Sequence, residues 1–198
     1  MKILSFVSNL TTTLCLLTYA SALEESSETP DANGELLQAC MSDRGIDNVE
    51  AVQAALAKGA DINTTGDRSG QTPFMAAVLR GKLNIVKYLH SVGADIAKGE
   101  RNGYTPAHGA AFQGRVDVMA FLIDVGVDVT EVHEGDQYPP FMRTCWGKEE
   151  RHAETLQLLV DRAGIDPTVV VNEKTCEEST DNPHVKRVLA EYKRGQEL

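Results

Sequence analysis

Basic residues are in short supply: 19 lysines and arginines stand against 29 aspartates and glutamates, a net charge of −10. A chain so balanced gains neither the phosphate attraction nor the counterion release that drives nucleic-acid binding, and an anionic membrane repels it. Signatures of catalysis are missing as well. No Ser/His/Asp constellation, glycine-rich phosphate loop or paired-carboxylate motif stands out. His133-Glu134 has no second histidine four residues after the first, so the helical zinc-protease pattern is absent. Strand-like alternation is scarce. Of four cysteines, Cys15 lies in the N-terminal leader, and the three that remain, Cys40, Cys145 and Cys176, are an odd number that makes no disulfide framework. The remaining composition, 42% apolar and about a quarter charged, is that of an ordinary soluble globular chain.

What is present is one stretch that occurs twice. From Asp67 the chain reads Asp-Arg-Ser-Gly-Gln-Thr-Pro-Phe-Met-Ala-Ala-Val-Leu-Arg-Gly, and from Glu100 Glu-Arg-Asn-Gly-Tyr-Thr-Pro-Ala-His-Gly-Ala-Ala-Phe-Gln-Gly. Gly70/Gly103, Thr72/Thr105, Pro73/Pro106, Ala77/Ala110, Gly81/Gly114, Leu89/Leu122, Gly93/Gly126 and Asp95/Asp128 each pair across 33 residues. A fixed period of that size marks a solenoid. Thr72 and Thr105 stand where an N-cap belongs, and Pro73 and Pro106 already have the φ of a first helical residue. Ala77, Ala110 and Ala111 are small enough to let neighbouring helices approach. Gly81 and Gly114 end the short helix, and Leu83, Val86 and Leu89 in one copy, Val116, Met119 and Leu122 in the other, repeat at the spacing of a second helix.

The spelling Gly-x-Thr-Pro-x-(His)-x-Ala-(Ala), a second apolar helix and then Gly-Ala-Asp resembles the ankyrin repeat family. The resemblance implies an all-α solenoid of helix-turn-helix hairpins joined by β-turn finger loops, about four to five repeats including degenerate caps. It also implies that His108 hydrogen-bonds within and between repeats, a structural role, and that enzymatic activity is not expected.

Taken in order, residues 1–22 read as a secretory signal peptide: Lys2, an apolar run, then the small residues Ala20-Ser21-Ala22. Residues 23–34 are an acidic linker expected to be disordered. The repeat domain is expected over 35–198, with a cap repeat at 35–66, repeats at 67–99, 100–132 and 133–166, and a C-terminal cap at 167–198. The third clear copy places Pro139 one period after Pro106, Tyr138 in the capping-threonine position, and Arg143 and Thr144 in place of the paired alanines. Gly164 follows Gly126 by 38 residues. The insertion is expected at 148–152 as a longer inter-helix loop, with a helix over 153–162. A last helix is expected to begin at Pro183, with Val185, Val188, Leu189 and Tyr192 on one side. Cys145 and Cys176 are a conceivable pair, but equivalent positions in neighbouring repeats lie roughly 10 Å apart, beyond a bridge's reach. Separate buried thiols are therefore expected.

Transferred position by position, the resemblance assigns the concave face to Arg68, Ser69, Gln71, Leu79 and Arg80 in one repeat and to Arg101, Asn102, Tyr104, Phe112 and Gln113 in the next. In the third it assigns Glu134, Gln137, Cys145 and Trp146. Leu79, Phe112 and Cys145 form one column, with Tyr104 and Trp146 beside it as aromatic anchors. Asn63-Thr64-Thr65 is a glycosylation acceptor on the first finger. The function these residues support is a non-enzymatic protein-binding module, without cofactor or metal, secreted or lumenal, monomeric, and free of membrane after cleavage. The alternatives are a secreted effector or inhibitor that blocks a partner enzyme, and a small metal-dependent hydrolase using His133, Cys145 and His152. Two other addresses match in part: the last two residues of an ER retention signal, and the Ala-Ser-Ala-Leu of an algal plastid signal.

Overall fold

A computed structural model describes residues 31–42, 47–66 and 69–197. The expected signal peptide and most of the expected linker lie outside them; residues 32–34, read as linker, already belong to the first helix. Residues 32–198 form one unit of helical hairpins. The inner helices are α1 (Ala32–Met41), α3 (Pro73–Arg80), α5 (Pro106–Gln113), α7 (Pro140–Cys145) and α9 (Cys176–Ser179). Their outer partners are α2 (Val49–Ala57), α4 (Leu83–Ser91), α6 (Val116–Asp124), α8 (Glu150–Ala163) and α10 (Pro183–Gln196). Among the described residues there is no strand, only an isolated bridge between Val171 and Lys174. The principal contacts run within a hairpin or between adjacent ones, inner helix on inner and outer on outer.

The local chemistry explains each hairpin. The Thr72 hydroxyl accepts the Met75 amide at 3.1 Å, Pro73 opens α3, and Gly81 closes it at φ 71°. Gly114 does the same for α5 at φ 61°. Side chains too large for the interface are absent from α5, where Ala107, Ala110 and Ala111 are fully buried. Larger apolar side chains come from the outer row: Ile85, Val86 and Leu89, then Val118, Met119 and Leu122, then Leu156 and Leu159. Each is worth about 1.5–3 kcal/mol of burial, obtained only when the neighbouring hairpin is in place.

A second set of bonds ties each hairpin to the one before. Lys82 Nζ donates to the Ala39 carbonyl at 2.9 Å, and Arg115 Nε to the Leu79 carbonyl at 2.9 Å. One unit on, His152 Nε2 lies 3.2 Å from the Phe112 carbonyl, and Asn182 Nδ2 donates to the Gly147 and Glu149 carbonyls. The Ala39, Leu79 and Phe112 carbonyls are among those an inner helix leaves open at its C-terminus, and those of Gly147 and Glu149 lie in the loop that follows α7.

Three expectations are corrected. The insertion in the third copy does not form the expected long loop over 148–152: α8 begins at Glu150 and has 14 residues where α4 and α6 have 9, so five residues extend the outer helix. Glu154, Thr155 and Gln157 are good enough helix formers, and Leu156 and Leu159 continue the apolar stripe, so extending the helix costs nothing in packing. The third copy is also displaced by one residue. Its N-cap is Pro139 and its first helical residue Pro140, and Gln137, at φ 60°, takes the left-handed position that Gly103 holds at φ 87°. Arg143 is therefore the counterpart of Gly109, and Thr144 and Cys145 are those of Ala110 and Ala111. Trp146 replaces Phe112.

That displacement bears on the cysteines. Cys145 occupies a buried alanine position on the inner face, and the one-turn α9 starts at Cys176 beside it, with a Cα–Cα distance of 5.4 Å; the two form a disulfide. The expectation of separate thiols assumed a closing unit stacked in register. A single-turn helix does not hold that register. Among the described residues Cys40 is the free thiol, buried in the first hairpin, and burial pushes its pKa up to about 12.

Candidate interaction groove

Between inner helices α3 and α5 lies a cleft of about 310 Å³. Its lining is Met75 and Leu79 from α3, His108, Gly109, Phe112 and Gln113 from α5, Glu100 and Tyr104 from the finger between them, and Arg143 from α7. Gly109 makes the space. A Cβ there would lie 2.9 Å from Met75 Cε and 3.0 Å from Leu79 Cδ2. Phe112 lines the opening and is 54% exposed.

One wall of the cleft is a partly buried ionic and aromatic cluster around Arg143. Arg143 Nη2 donates to both Asp136 oxygens at 2.7 and 2.6 Å, while its guanidinium lies 4.8 Å from the ring centres of both Tyr104 and Trp146. Tyr104 stacks on His133 at 3.9 Å and its hydroxyl donates to Asp136. His133 reaches the Asn102 carbonyl at 2.7 Å with its other nitrogen. Burial by itself would raise the Asp136 pKa, but hydrogen bonds from Arg143, His133 and the Tyr138 amide outweigh it and hold the carboxyl well below the usual range. Arg143 Nε is buried without a hydrogen-bond partner, enclosed by ring faces.

His108 fills the adjoining corner. It closes a capping box with Thr105, whose hydroxyl lies 2.8 Å from Nδ1, and its Nε2 is 3.1 Å from the Tyr138 carbonyl of the next repeat. The Thr105 amide also donates to Nδ1, so Nδ1 accepts and Nε2 carries the proton. Burial lowers the pKa to about 4, against a smaller rise from the Tyr138 bond, and the ring is neutral near pH 7.

Of the residues assigned to the concave face, Leu79, Tyr104, Phe112 and Gln113 meet in this cleft. Gln71 lies to one side and donates to Glu100 at 2.7 Å. Arg80 is exposed at the end of α3; Arg101 and Asn102 are exposed on the finger and line a separate cavity with Glu131 and Glu134. Trp146 is 37% exposed and packs edge-on against Tyr138 at 5.0 Å. Cys145 is buried in the disulfide and is not a groove residue, which corrects the expected Leu79–Phe112–Cys145 column. Arg68 lies outside the described residues. The set for a hydrolase is occupied elsewhere: Cys145 by Cys176, His133 by Asp136 and Asn102, His152 by the Phe112 carbonyl. Asn63 accepts the Asp95 amide at 2.9 Å through Oδ1. Met75, Glu100, Gly109 and Arg143 line the cleft as well, although the family register assigns none of them to the concave face. An arginine among small inner-helix residues was the available signal.

Hairpins stacked inner helix on inner and outer on outer define a helical solenoid. Its repeats are ankyrin repeats: the family description ankyrin repeats, three copies, matches residues 36–133. Over 81 residues, 41% of the chain, the sequence is 35% identical to an ankyrin repeat and KH domain-containing protein of Caenorhabditis briggsae. The match spans 3% of that relative's length. The fold is thus an all-α ankyrin solenoid, a class that commonly mediates protein–protein interaction and is generally non-enzymatic. No helix among the described residues is long and apolar enough to cross a membrane.

Proposed function

We propose that the chain is a non-enzymatic binding module of the secretory pathway that holds a partner protein in its concave groove. The cleft under Phe112 carries this reading: an apolar floor of Met75 and Leu79, an exposed aromatic, and a rigid wall built by Arg143 are what an anchoring side chain from a partner needs. Entry into the secretory pathway is supported by residues 1–22 and by the Cys145–Cys176 pair, since such bonds persist in oxidising compartments.

Affinity capture with the mature chain tests it, with a Leu79→Ala/Phe112→Ala variant in parallel. A partner retained by the first and lost by the second, while the variant still melts cooperatively, is the expected result. Equal retention by both sinks the groove. Mass spectrometry of the exported protein checks the address, with an N-terminus at Leu23 expected and an intact Met1 start contradicting it.

A further inference from the structure

One residue of the cleft belongs to a second cavity as well. Glu100 lines the cleft and also a space of about 670 Å³ between the fingers that precede α5 and α7, where Arg101, Asn102, Glu131, Val132 and Glu134 join it. The two spaces adjoin at Glu100. Its amide donates to the Tyr104 carbonyl at 2.9 Å and its carbonyl accepts the Gly103 amide at 2.8 Å, which fixes the turn that carries it. The Arg101 amide donates to the Ser69 carbonyl at 3.0 Å, and His133 Nε2 lies 2.7 Å from the Asn102 carbonyl, so three successive fingers are fastened to one another. A surface held in this way loses little freedom when something binds it.

The charge that faces both spaces is negative. Inside the cleft, Arg143 gives its Nη2 to both oxygens of Asp136, and His108 is neutral near pH 7. Glu100 accepts the Gln71 side-chain amide at 2.7 Å, a neutral donor that leaves its charge in place. Between the fingers, Glu131 and Glu134 add two exposed carboxylates against one cation among the lining residues, Arg101. Apolar contact is on offer at each end, from Phe112 in the cleft and from Val132, 45% exposed, between the fingers. Among the described residues no three His, Cys, Asp or Glu side chains converge as a metal ion requires. The negative charge is spread along the fingers rather than gathered about a point.

We infer that the groove takes a basic linear segment of a partner protein, an apolar side chain entering between Leu79 and Phe112 while lysines or arginines beyond it lie over Glu100, Glu131 and Glu134. The inference rests on the groove reading above and supplies the chemistry of the partner. The apolar cleft alone accepts any hydrophobic side chain; the carboxylate at its junction with the fingers favours a basic flank and repels an acidic one. Packed helices lie about 8–10 Å apart and an extended chain rises about 3.3 Å per residue, so a basic residue about three positions from the apolar one reaches the next finger. A second copy of this chain, at net charge −10, and a polyphosphate backbone are both repelled.

The test is selection from a display library of random linear peptides of about twelve residues, long enough to cross two repeats in extended form, on the full chain with its disulfide intact. Selected peptides are then titrated by fluorescence anisotropy. A lysine or arginine about three positions from a Leu, Met or aromatic is expected to be enriched. Glu131→Gln/Glu134→Gln is expected to weaken binding roughly tenfold, with affinity falling as salt rises. Glu100→Gln keeps an oxygen for the Gln71 amide and is expected to add to that loss; should it melt early, the exposed Glu131 and Glu134 pair carries the comparison. Neutral or acidic peptides that bind the glutamine variants as well as the native chain but fail on Phe112→Ala overturn the inference and leave the groove standing. Peptides indifferent to both sets, or none selected, overturn the two together. Basic peptides that lose nothing when their apolar residue becomes serine, and that spermine displaces, assign the fingers to small polycations and overturn it also.

Discussion

At the scale of single residues, the groove depends on one absence of side chain. Gly109 sits inside a helix, where alanine is favoured by about 1 kcal/mol, yet a methyl there presses on the flexible end of Met75. Gly109→Ala is therefore expected to raise the melting temperature slightly while weakening the partner held under Phe112; stronger binding or a lower melting temperature contradicts the role given to the cleft. His108 makes the complementary prediction. Its pKa is about 4 folded and near 6.5 unfolded, so the unfolded chain binds the proton first. The stability it contributes is complete above pH 6.5 and is lost as pH falls toward 4. Calorimetry across that window is expected to show the melting temperature falling in the native chain and falling less in His108→Gln. Parallel curves return the shift to other groups.

At the scale of elements, the closing hairpin is the unusual one. α9 is one turn long and offers Cys176 as its only fully buried side chain, so it holds to the stack through the bond to Cys145 more than through area. The bridge closes a loop over a sequence separation of 31 residues. Cys145→Ser/Cys176→Ser, or the reduced protein, is expected to lose about 2–4 kcal/mol. Hydrogen exchange is expected to rise first in α9 and α10 and little in α3 to α6. A uniform rise assigns the loss to the whole stack. The extended α8 supports the same end, since its added turn and the capping box of Thr175 with Glu178 place α10 against it.

At the scale of the molecule, stability is a sum over neighbours. Removing residues 167–198 bares the side of α7 and α8 now covered by Val185, Val188 and Leu189, a loss of roughly 5 kcal/mol, comparable to the whole stability of a small domain. The truncated chain is expected to aggregate or melt without cooperativity. A sharp, unshifted transition shows that the last hairpin is dispensable. A net charge of −10 favours dispersal of the chain in solution.

Read alone, the residues settled the period, the caps and the helix pairs, because Thr-Pro starts, glycine stops and apolar spacing act within a few positions of where they stand. Leu79, Tyr104, Phe112 and Gln113 were legible for the same reason: their repeats keep strict register. Packing decided the rest. The displacement that puts Arg143 over Tyr104 and Cys145 against Cys176 comes from one extra residue in a finger, and the Arg115 and Arg151 stems cross Gly81 and Gly114 of the preceding repeat. Pattern in the sequence reports on neighbours along the chain, whereas a disulfide or a shared carboxylate depends on distances set only once the hairpins stack.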